Sequence, residues 1–331
     1  MPAHQDAAVE DILEPDLEIC DPHHHLMDHA GWRYLPEDYL RDMTDGHRVT
    51  STIYVEGSAH YRTSGPEHLR EVGEIEYVRQ VQQQTREAAS WIGRGIVGHV
   101  DLASGPLVGE ALDAQIAASG GTLKGIRHDS SWDDSGTLHI RYQNSGPDLY
   151  ARSAFKAGVG ELTRRGLTLD TWQYFYQLPV LASLARDCPD ARIMIDHCGG
   201  VVGIGPYKRD ETFEIWRGHI RDLAQFPNLW IKLGGLGMEI AGFDFPHRAT
   251  PASSEEIAAA WKPYVETCIE SFGPQRCMFE SNFPIDQPSC SYRTMWNAFK
   301  RIAVQASPAE KAMLFRDNAV CFYRLDEPPA V

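Results

Sequence analysis

Short apolar segments, many of them rich in β-branched residues, alternate along the chain with longer charged stretches. Within the charged stretches, apolar residues recur near positions i, i+3, i+4 and i+7, which is the spacing of an amphipathic helix. Eight apolar segments are candidate strands, namely residues 17–23, 49–57, 92–100, 122–128, 167–172, 191–197, 228–235 and 276–284. The pattern therefore predicts eight strands that alternate with helices.

Strands that are separated by single helices pair in parallel through right-handed crossovers. Eight such units favour a closed (β/α)8 TIM barrel, and 331 residues are an ordinary length for one. An open, doubly wound sheet is the alternative, but no glycine-rich phosphate loop follows the first strand. Because no linker or composition break divides the chain, residues 1–331 are predicted to form a single α/β domain, with residues 1–16 as a flexible extension.

Composition and charge restrict the partners of this barrel. A formal net charge of −15 disfavours nucleic acid and anionic membranes, because both require a basic surface. No segment approaches the ~18 apolar residues of a membrane helix, and the first residues lack the features of a signal peptide. The seven cysteines show no CxxC spacing, which favours free thiols in a reducing compartment. We therefore predict a cytoplasmic protein with a small-molecule substrate, whose oligomeric state is open and includes a homo-oligomer.

Histidines stand where two of the predicted strands end, which is where barrel enzymes place their active sites. The first strand ends in Asp21-Pro22-His23-His24-His25. Residues two apart on an extended backbone face the same way, so His23 and His25 should enter the barrel mouth while His24 faces the helices. His197 ends the sixth strand and should reach the same mouth. Converging imidazoles suit Zn²⁺, and the alternative interpretation is a polar turn of solvated histidines.

Carboxylate and amide groups stand at the end of the eighth strand. Glu280 and Asn282 share a face of this strand, and Asp286 follows it. An unpaired charge would be costly within the apolar strand, so Glu280 is expected to have a metal or histidine partner.

Other polar and aromatic residues at strand ends are candidates for binding the substrate. Arg127 could hold a carboxylate with its planar fork, although a structural ion pair is an equal alternative. The further candidates for substrate contact are His128, Trp172, Tyr176 and Lys232.

With these motifs in view, the chain resembles the amidohydrolase superfamily over residues 17–323. It looks most like the group that holds 2-pyrone-4,6-dicarboxylate hydrolase, 4-sulfomuconolactone hydrolase and the sugar-acid lactonases. The segment from Asp21 to His25 stands where that group has Asp-x-His-x-His, and Ile195-Asp196-His197-Cys198-Gly199-Gly200 is the second match. The resemblance implies a distorted TIM barrel that hydrolyses lactones, usually carboxylated ones, with one bound divalent cation in some members and none in at least one kind.

The chain departs from that group at the eighth strand. The group typically has Gly-Ser-Asp-Trp-Pro there, with the aspartate activating water, whereas this chain has Glu280-Ser281-Asn282-Phe283-Pro284. A neutral amide cannot accept a proton from water, so Glu280 or Asp286 must supply the carboxylate, or the reaction differs. A binuclear centre is not expected, because the fourth strand ends in Arg127 and His128 rather than in the lysine that two-metal members carbamylate.

We therefore predict a hydrolase that opens a lactone, with a carboxylated and hence anionic substrate expected. One divalent cation, Zn²⁺ by preference, would bind His23, His25 and His197, with Glu280 as a fourth ligand or as the base. Without metal, His197 and Glu280 would activate the water. Two alternatives stay open: a metal-dependent decarboxylase of an aromatic or unsaturated acid, and a barrel that binds a ligand without catalysis.

Overall fold

A computed structural model describes residues 10–85, 91–138 and 146–325 of the chain. The strands are β1 (Glu18–His24), β2 (Met27–His29), β3 (Trp32–Tyr34), β4 (Arg48–Val55), β5 (Trp91–Gly98), β6 (Leu123–Asp129), β7 (Thr168–Trp172), β8 (Ile193–Ile195), β9 (Leu229–Leu233) and β10 (Cys277–Phe279). All eight predicted strands are present, as β1 and β4 to β10.

These eight strands form one parallel sheet in the order β1-β4-β5-β6-β7-β8-β9-β10. The first and last strands meet beyond the end of β10, where the His25 N–H donates to the Phe283 carbonyl at 2.8 Å. The Asn282 N–H donates to the His23 carbonyl at 2.9 Å in the same seam. The prediction of a (β/α)8 TIM barrel is confirmed.

Helices follow the strands and cover the outside of the barrel. They are α1 (Pro36–Met43), α2 (Val72–Thr85), α3 (Leu107–Ser119), α4 (Ser153–Arg164), α5 (Leu178–Asp187), α6 (His197–Gly200), α7 (Arg209–Leu223), α8 (Ser254–Phe272), α9 (Tyr292–Ile302), α10 (Pro308–Ala312) and α11 (Asn318–Phe322). The longest of these, α8, begins with a capping box in which Ser253 and Glu256 exchange side-chain to backbone hydrogen bonds. This exchange satisfies N–H groups that would otherwise lack partners at the helix start.

The apolar core has two parts, one on each side of the strands. Large side chains between the strands and the helices form the outer part, with Trp216, Trp261 and Trp296 fully buried in it. The inner part fills the barrel, where strand residues such as Ile53 and Met194 pack against the last described segment of the chain. Buried charged groups share the barrel interior with this inner part and support the site described below.

Three features lie outside the repeating pattern. Strands β2 and β3 form a short antiparallel hairpin after β1, which the sequence did not predict because each strand has only three residues. Part of the predicted flexible extension packs on the barrel, since the Leu13 N–H donates to Asn297 and Lys300 donates to the Leu13 carbonyl. Residues 1–9 of that extension lie outside the described residues. All seven cysteines are free thiols, as predicted.

Among the described helices, none combines the length and the apolar character needed to cross a membrane.

Candidate active site

The three predicted histidines meet at the carboxyl end of the barrel. His23 and His25 point inward from the end of β1, and their Nε2 atoms are 3.2 Å apart. His24 faces outward, where its ring stacks on Tyr39 with centroids 3.9 Å apart. The His197 ring lies 4.5 Å from the His23 ring, centroid to centroid. The structure therefore brings the three residues together as the alternation along β1 predicted.

All three inward rings are held through their Nδ1 atoms. Nδ1 of His25 lies 2.8 Å from the Val55 carbonyl, to which it can only donate. Nδ1 of His23 and Nδ1 of His197 lie 2.9 Å and 2.7 Å from the two carboxylate oxygens of Glu280. Since a carbonyl and a carboxylate accept hydrogen bonds, the protons of His25 and His197 belong on Nδ1. Nδ1 of His23 lies closer to Glu280, at 2.9 Å, than to the Lys232 ammonium, at 3.2 Å, so the carboxylate favours the same tautomer there and the ammonium is an electrostatic neighbour of the ring. The lone pairs on the three Nε2 atoms are left for the site.

Burial keeps these imidazoles neutral. It lowers the pKa of His23 well below its ordinary value, with the Lys232 ammonium as the second cause. Burial and the nearby Arg127 lower the pKa of His25 to about 3. The pKa of His197 is also lowered to about 3, mainly by burial. Neutral imidazole is the form that binds a metal ion, so the rings are ready to act as ligands at neutral pH.

A buried ion cluster lies beneath the histidines. The Lys232 ammonium is 2.7 Å from Asp170 and 2.9 Å from Asp196, and all three side chains are fully buried. It also lies 3.2 Å from Nδ1 of His23. Lys232 was predicted to contact substrate, and the structure does not support that role because its ammonium is committed to this cluster. Its place below the rings indicates a structural role.

Arg127 lies beside the histidines but its fork is already engaged. Its Nε donates to the Glu56 carboxylate at 2.8 Å, and one terminal nitrogen donates to the Glu56 carbonyl at 2.7 Å. The other terminal nitrogen points at Nε2 of His23, 3.3 Å away. Arg127 therefore forms a structural ion pair, which is one of the two interpretations that the sequence allowed. The guanidinium also faces the point where the lone pairs of the imidazoles meet.

The remaining predicted substrate residues divide between the site and its surroundings. Trp172 lies edge-on to the His197 ring, with centroids 4.8 Å apart, and so flanks the site. His128 alternates outward from Arg127 and packs on Phe155 of α4, and its predicted contact with substrate stays a prediction. Tyr176 stacks on Tyr207 and donates to the Trp132 carbonyl at 2.6 Å. These bonds indicate that Tyr176 braces the rim loops rather than binding substrate.

Asn282 and Asp286 form a buried pair next to this cluster. The amide nitrogen of Asn282 donates to Asp286 at 2.7 Å, and the other Asp286 oxygen accepts from the Gly237 N–H at 2.9 Å. Asn282 lies beyond the end of β10 and adopts a left-handed conformation with φ of 53°, so the alternation along the strand does not fix its direction relative to Glu280. The amide oxygen of Asn282 is buried and has no hydrogen-bond partner among the described residues.

Glycines after β9 make room for the catalytic side chains. A Cβ on Gly235 would lie 2.4 Å from Cβ of His197, and one on Gly234 would lie 2.4 Å from the Glu280 side chain. Gly235 also has φ of +65°, which other residues rarely adopt. Larger residues at these positions would push His197 and Glu280 out of place.

Comparison with known proteins assigns the family. A family model described as amidohydrolase matches residues 20–325 of the chain. The chain belongs to the amidohydrolase family. Over 94% of its length it is 33% identical to the uncharacterized protein y4mH of Sinorhizobium fredii, of which the match covers 99%.

The chain is also similar to a lactonase and to an amidohydrolase whose structure contains zinc. This amidohydrolase is 31% identical to an L-fucono-1,5-lactonase of Burkholderia multivorans, over 53% of the chain and 57% of that enzyme. Its fold is similar to a crystal structure of a Burkholderia multivorans amidohydrolase with bound zinc, at a TM-score of 0.71 and 21% identity. That alignment covers 92% of this chain and 99% of the other.

The donor set of the amidohydrolase fits a divalent cation. Zinc ligands at about 2.0–2.1 Å in tetrahedral geometry place two nitrogens about 3.3 Å apart, and Nε2 of His23 and Nε2 of His25 are 3.2 Å apart. Two lone pairs at this distance repel each other, and the Arg127 guanidinium, 3.3 Å from Nε2 of His23, offsets part of this repulsion. Metal-bound histidines also usually donate their second N–H to a carboxylate or carbonyl, as these three rings do.

The buried charges also fit a cation. Around the rings, the carboxylates of Glu56, Asp170, Asp196 and Glu280 are grouped with the cations Arg127 and Lys232. With neutral imidazoles, this set has an excess of two negative charges, which is costly in a buried site. His23, Asp196 and His197 also have potential ligand atoms that all lie within 4.8 Å of one another. Lys232 already lies against two of these three, so the Nε2 atoms are the better donors.

Asp170 and Asp196 have no assigned role in the sequence prediction, yet they contact the predicted residues. Asp196 immediately precedes His197, and strict alternation would turn one of the two away from the barrel. His197 has φ of 55°, which breaks the alternation and lets both residues face the interior. The position of Asp170, two residues before Trp172 on one strand face, was the available signal for its inward direction.

Proposed function

We propose that this amidohydrolase opens a lactone ring by hydrolysis with the help of one divalent cation, preferably Zn²⁺. The observation that carries the proposal is the gathering of three neutral imidazoles whose Nδ1 protons are all held by the chain. The partial match to an L-fucono-1,5-lactonase supports a lactone as the substrate class. The proposal keeps the lactone hydrolase that the sequence predicted and changes the roles of several residues.

His23, His25 and His197 would hold the cation, which matches the three-histidine ligand set of some catalytic zinc sites. When bound, such a cation polarises the ester carbonyl and lowers the pKa of water. Glu280 would orient two of the ligands, because its Oε1 accepts hydrogen bonds from Nδ1 and from the backbone N–H of His197 and its Oε2 lies 2.9 Å from Nδ1 of His23. This arrangement favours an orienting role for Glu280 over the predicted roles of fourth ligand or base.

Arg127 would stabilise the negative charge that develops on the carbonyl oxygen. Its terminal nitrogen already points to the place where the lone pairs meet, and Glu56 fixes the guanidinium from the side. A donor that is preorganised in this way needs no rearrangement during the reaction. Asn282 would accept a hydrogen bond from the attacking water or a substrate hydroxyl through its amide oxygen, since Asp286 holds the amide nitrogen.

The charges of the site favour a neutral lactone over the carboxylated one that the sequence predicted. Arg127 and Lys232, the two cations considered as carboxylate anchors, are both paired with carboxylates of the chain. A bound divalent cation would balance the two excess negative charges of the site and would leave no net positive charge to attract a carboxylate of the substrate. Trp172 offers a partly exposed ring beside His197 against which a sugar or other neutral ring can pack.

A substrate screen tests this function. Zinc-loaded protein is incubated with neutral sugar lactones and with carboxylated lactones, and hydrolysis is followed by proton release in weak buffer. We expect neutral lactones to be opened with kcat/KM at least tenfold above that for carboxylated ones, and chelation of zinc to abolish turnover. Aromatic acids are tested in parallel for release of carbon dioxide. Decarboxylation without lactone hydrolysis would overturn the proposal in favour of the alternative reaction.

Arg127→Lys separates the two roles considered for the arginine. Lysine cannot contact both the side chain and the carbonyl of Glu56 while pointing at the site, so the donor becomes misplaced. We expect kcat for a neutral lactone to fall about 10²-fold, the scale for losing an oxyanion donor, with KM nearly unchanged. Steady-state kinetics of the zinc-loaded variant provide the measurement. A large rise in KM that is confined to carboxylated lactones would instead support the carboxylate fork.

A further inference from the structure

The last described segment of the chain closes the barrel at the end opposite the histidines. Lys124, at the start of β6, donates to the Arg324 carbonyl at 3.2 Å, and Arg192, just before β8, donates to the Cys321 carbonyl at 3.2 Å. Phe322 and Tyr323 are fully buried within the inner apolar core. The segment therefore seals the amino ends of the strands, far along the chain from the predicted site residues.

One polar atom of this seal reaches the ion cluster below the histidines. The Tyr323 hydroxyl donates to Oδ2 of Asp170, the same oxygen that accepts from Lys232. Lys232 in turn contacts Asp196 at 2.9 Å and Nδ1 of His23 at 3.2 Å. A chain of close contacts thus connects the C-terminal seal to a ring that faces the site.

The position of Lys232 depends on how well Asp170 is satisfied. With the tyrosine hydroxyl present, Asp170 shares its charge between two donors, and the ammonium can also contact Asp196 and His23. Without the hydroxyl, Asp170 would depend on the ammonium alone, which is already 2.7 Å away, and the ammonium would turn its protons towards Asp170 at the expense of Asp196 and His23, because unsatisfied groups are costly in a buried polar network. Asp196 would then be held less firmly, since neither of its oxygens has a hydrogen-bond partner among the described residues and the ammonium is its close charge partner.

We propose that Tyr323 is a positioning residue of the active site, which acts through Asp170 and Lys232 to hold His23 and Asp196 in place. This inference rests on the proposed cation site, because its effect is felt where His23 would bind the cation. It assigns the C-terminal seal a role in the site in addition to packing.

Zinc affinity of Tyr323→Phe tests the proposal. Phenylalanine keeps the ring in the apolar core and removes only the donor. We expect zinc binding, measured by competition with a chromogenic chelator, to weaken about tenfold, the lower scale for loss of a group that orients ligands. Tyr34→Phe is the matched control, because Tyr34 is also buried and donates to a carboxylate, Asp42 at 2.7 Å, away from the site. This control should keep the parent's zinc affinity.

A double variant distinguishes the relay from general loosening of the core. Asp170→Asn removes the carboxylate charge to which the Tyr323 hydroxyl donates. Adding Tyr323→Phe to Asp170→Asn should therefore weaken zinc binding by less than twofold relative to Asp170→Asn alone. Equal affinity of Tyr323→Phe and the parent protein would overturn the inference, as would a full tenfold loss on top of Asp170→Asn. If the parent protein itself bound no zinc, the proposed cation site would fail instead. The two failures are therefore distinguishable.

Discussion

Glu280→Gln is expected to weaken zinc binding by about 10- to 100-fold, the usual cost of losing a group that orients metal ligands. Oε1 of the carboxylate accepts hydrogen bonds from Nδ1 and from the backbone N–H of His197, at 2.7 Å and 3.0 Å, and Oε2 lies 2.9 Å from Nδ1 of His23. Glutamine has one accepting oxygen and one donating nitrogen, so one of the two rings must lose its bond or change its tautomer. Titration of metal-free protein with zinc in the presence of a competing chelator measures the effect.

Glu74→Gln is the matched control for this experiment. Glu74 is also a buried carboxylate of the barrel, and it accepts from the Tyr54 hydroxyl and from the N–H groups of Gly57 and Ala59. Its substitution should affect stability while leaving zinc affinity near that of the parent. If Glu280→Gln bound zinc normally but lost turnover at saturating zinc, Glu280 would be the base that the sequence predicted, and the orienting role would be refuted.

Lys232→Met is expected to destabilise the fold by about 3–5 kcal/mol, the usual effect of removing one partner from a buried ion cluster. Methionine has a similar volume, so the main loss is the ammonium that lies between Asp170 and Asp196. Both carboxylates would stay buried without their cation. Urea unfolding of metal-free parent and variant protein gives the difference in the free energy of unfolding. Adding Asp170→Asn should recover part of the loss because it removes one unpaired charge.

The destabilisation by Lys232→Met should also depend on pH. Burial already raises the pKa of Asp170 to about 6 in the parent, and losing the lysine should raise it further. A carboxyl group with a raised pKa binds more protons folded than unfolded, so the free energy of unfolding falls as pH rises through that pKa. The gap between variant and parent should therefore be smaller at pH 5 than at pH 8. A gap that is equal at both values would show that Asp170 is not left unpaired.

The sequence alone determined the architecture and the position of the histidines. Eight apolar segments alternating with amphipathic stretches have few compact arrangements besides the parallel barrel, because each strand needs a crossover helix. Likewise, the two-residue spacing of His23 and His25 places both rings on one face of β1, whatever their neighbours are. Properties that depend on periodicity within one element were therefore predictable.

The tertiary structure decided which groups these residues meet, because partners across the barrel depend on strand register and on local breaks in alternation. The left-handed conformation of His197 turned both it and Asp196 inward, and Asn282, also left-handed, lies beyond the end of β10, where alternation does not fix its direction relative to Glu280. Lys232 became a structural cation only because Asp170, within β7, and Asp196, just after β8, meet its ammonium. Tyr323 joins the same cluster from the far end of the chain. No local pattern encodes such contacts, since each is fixed by packing between segments that are distant in sequence.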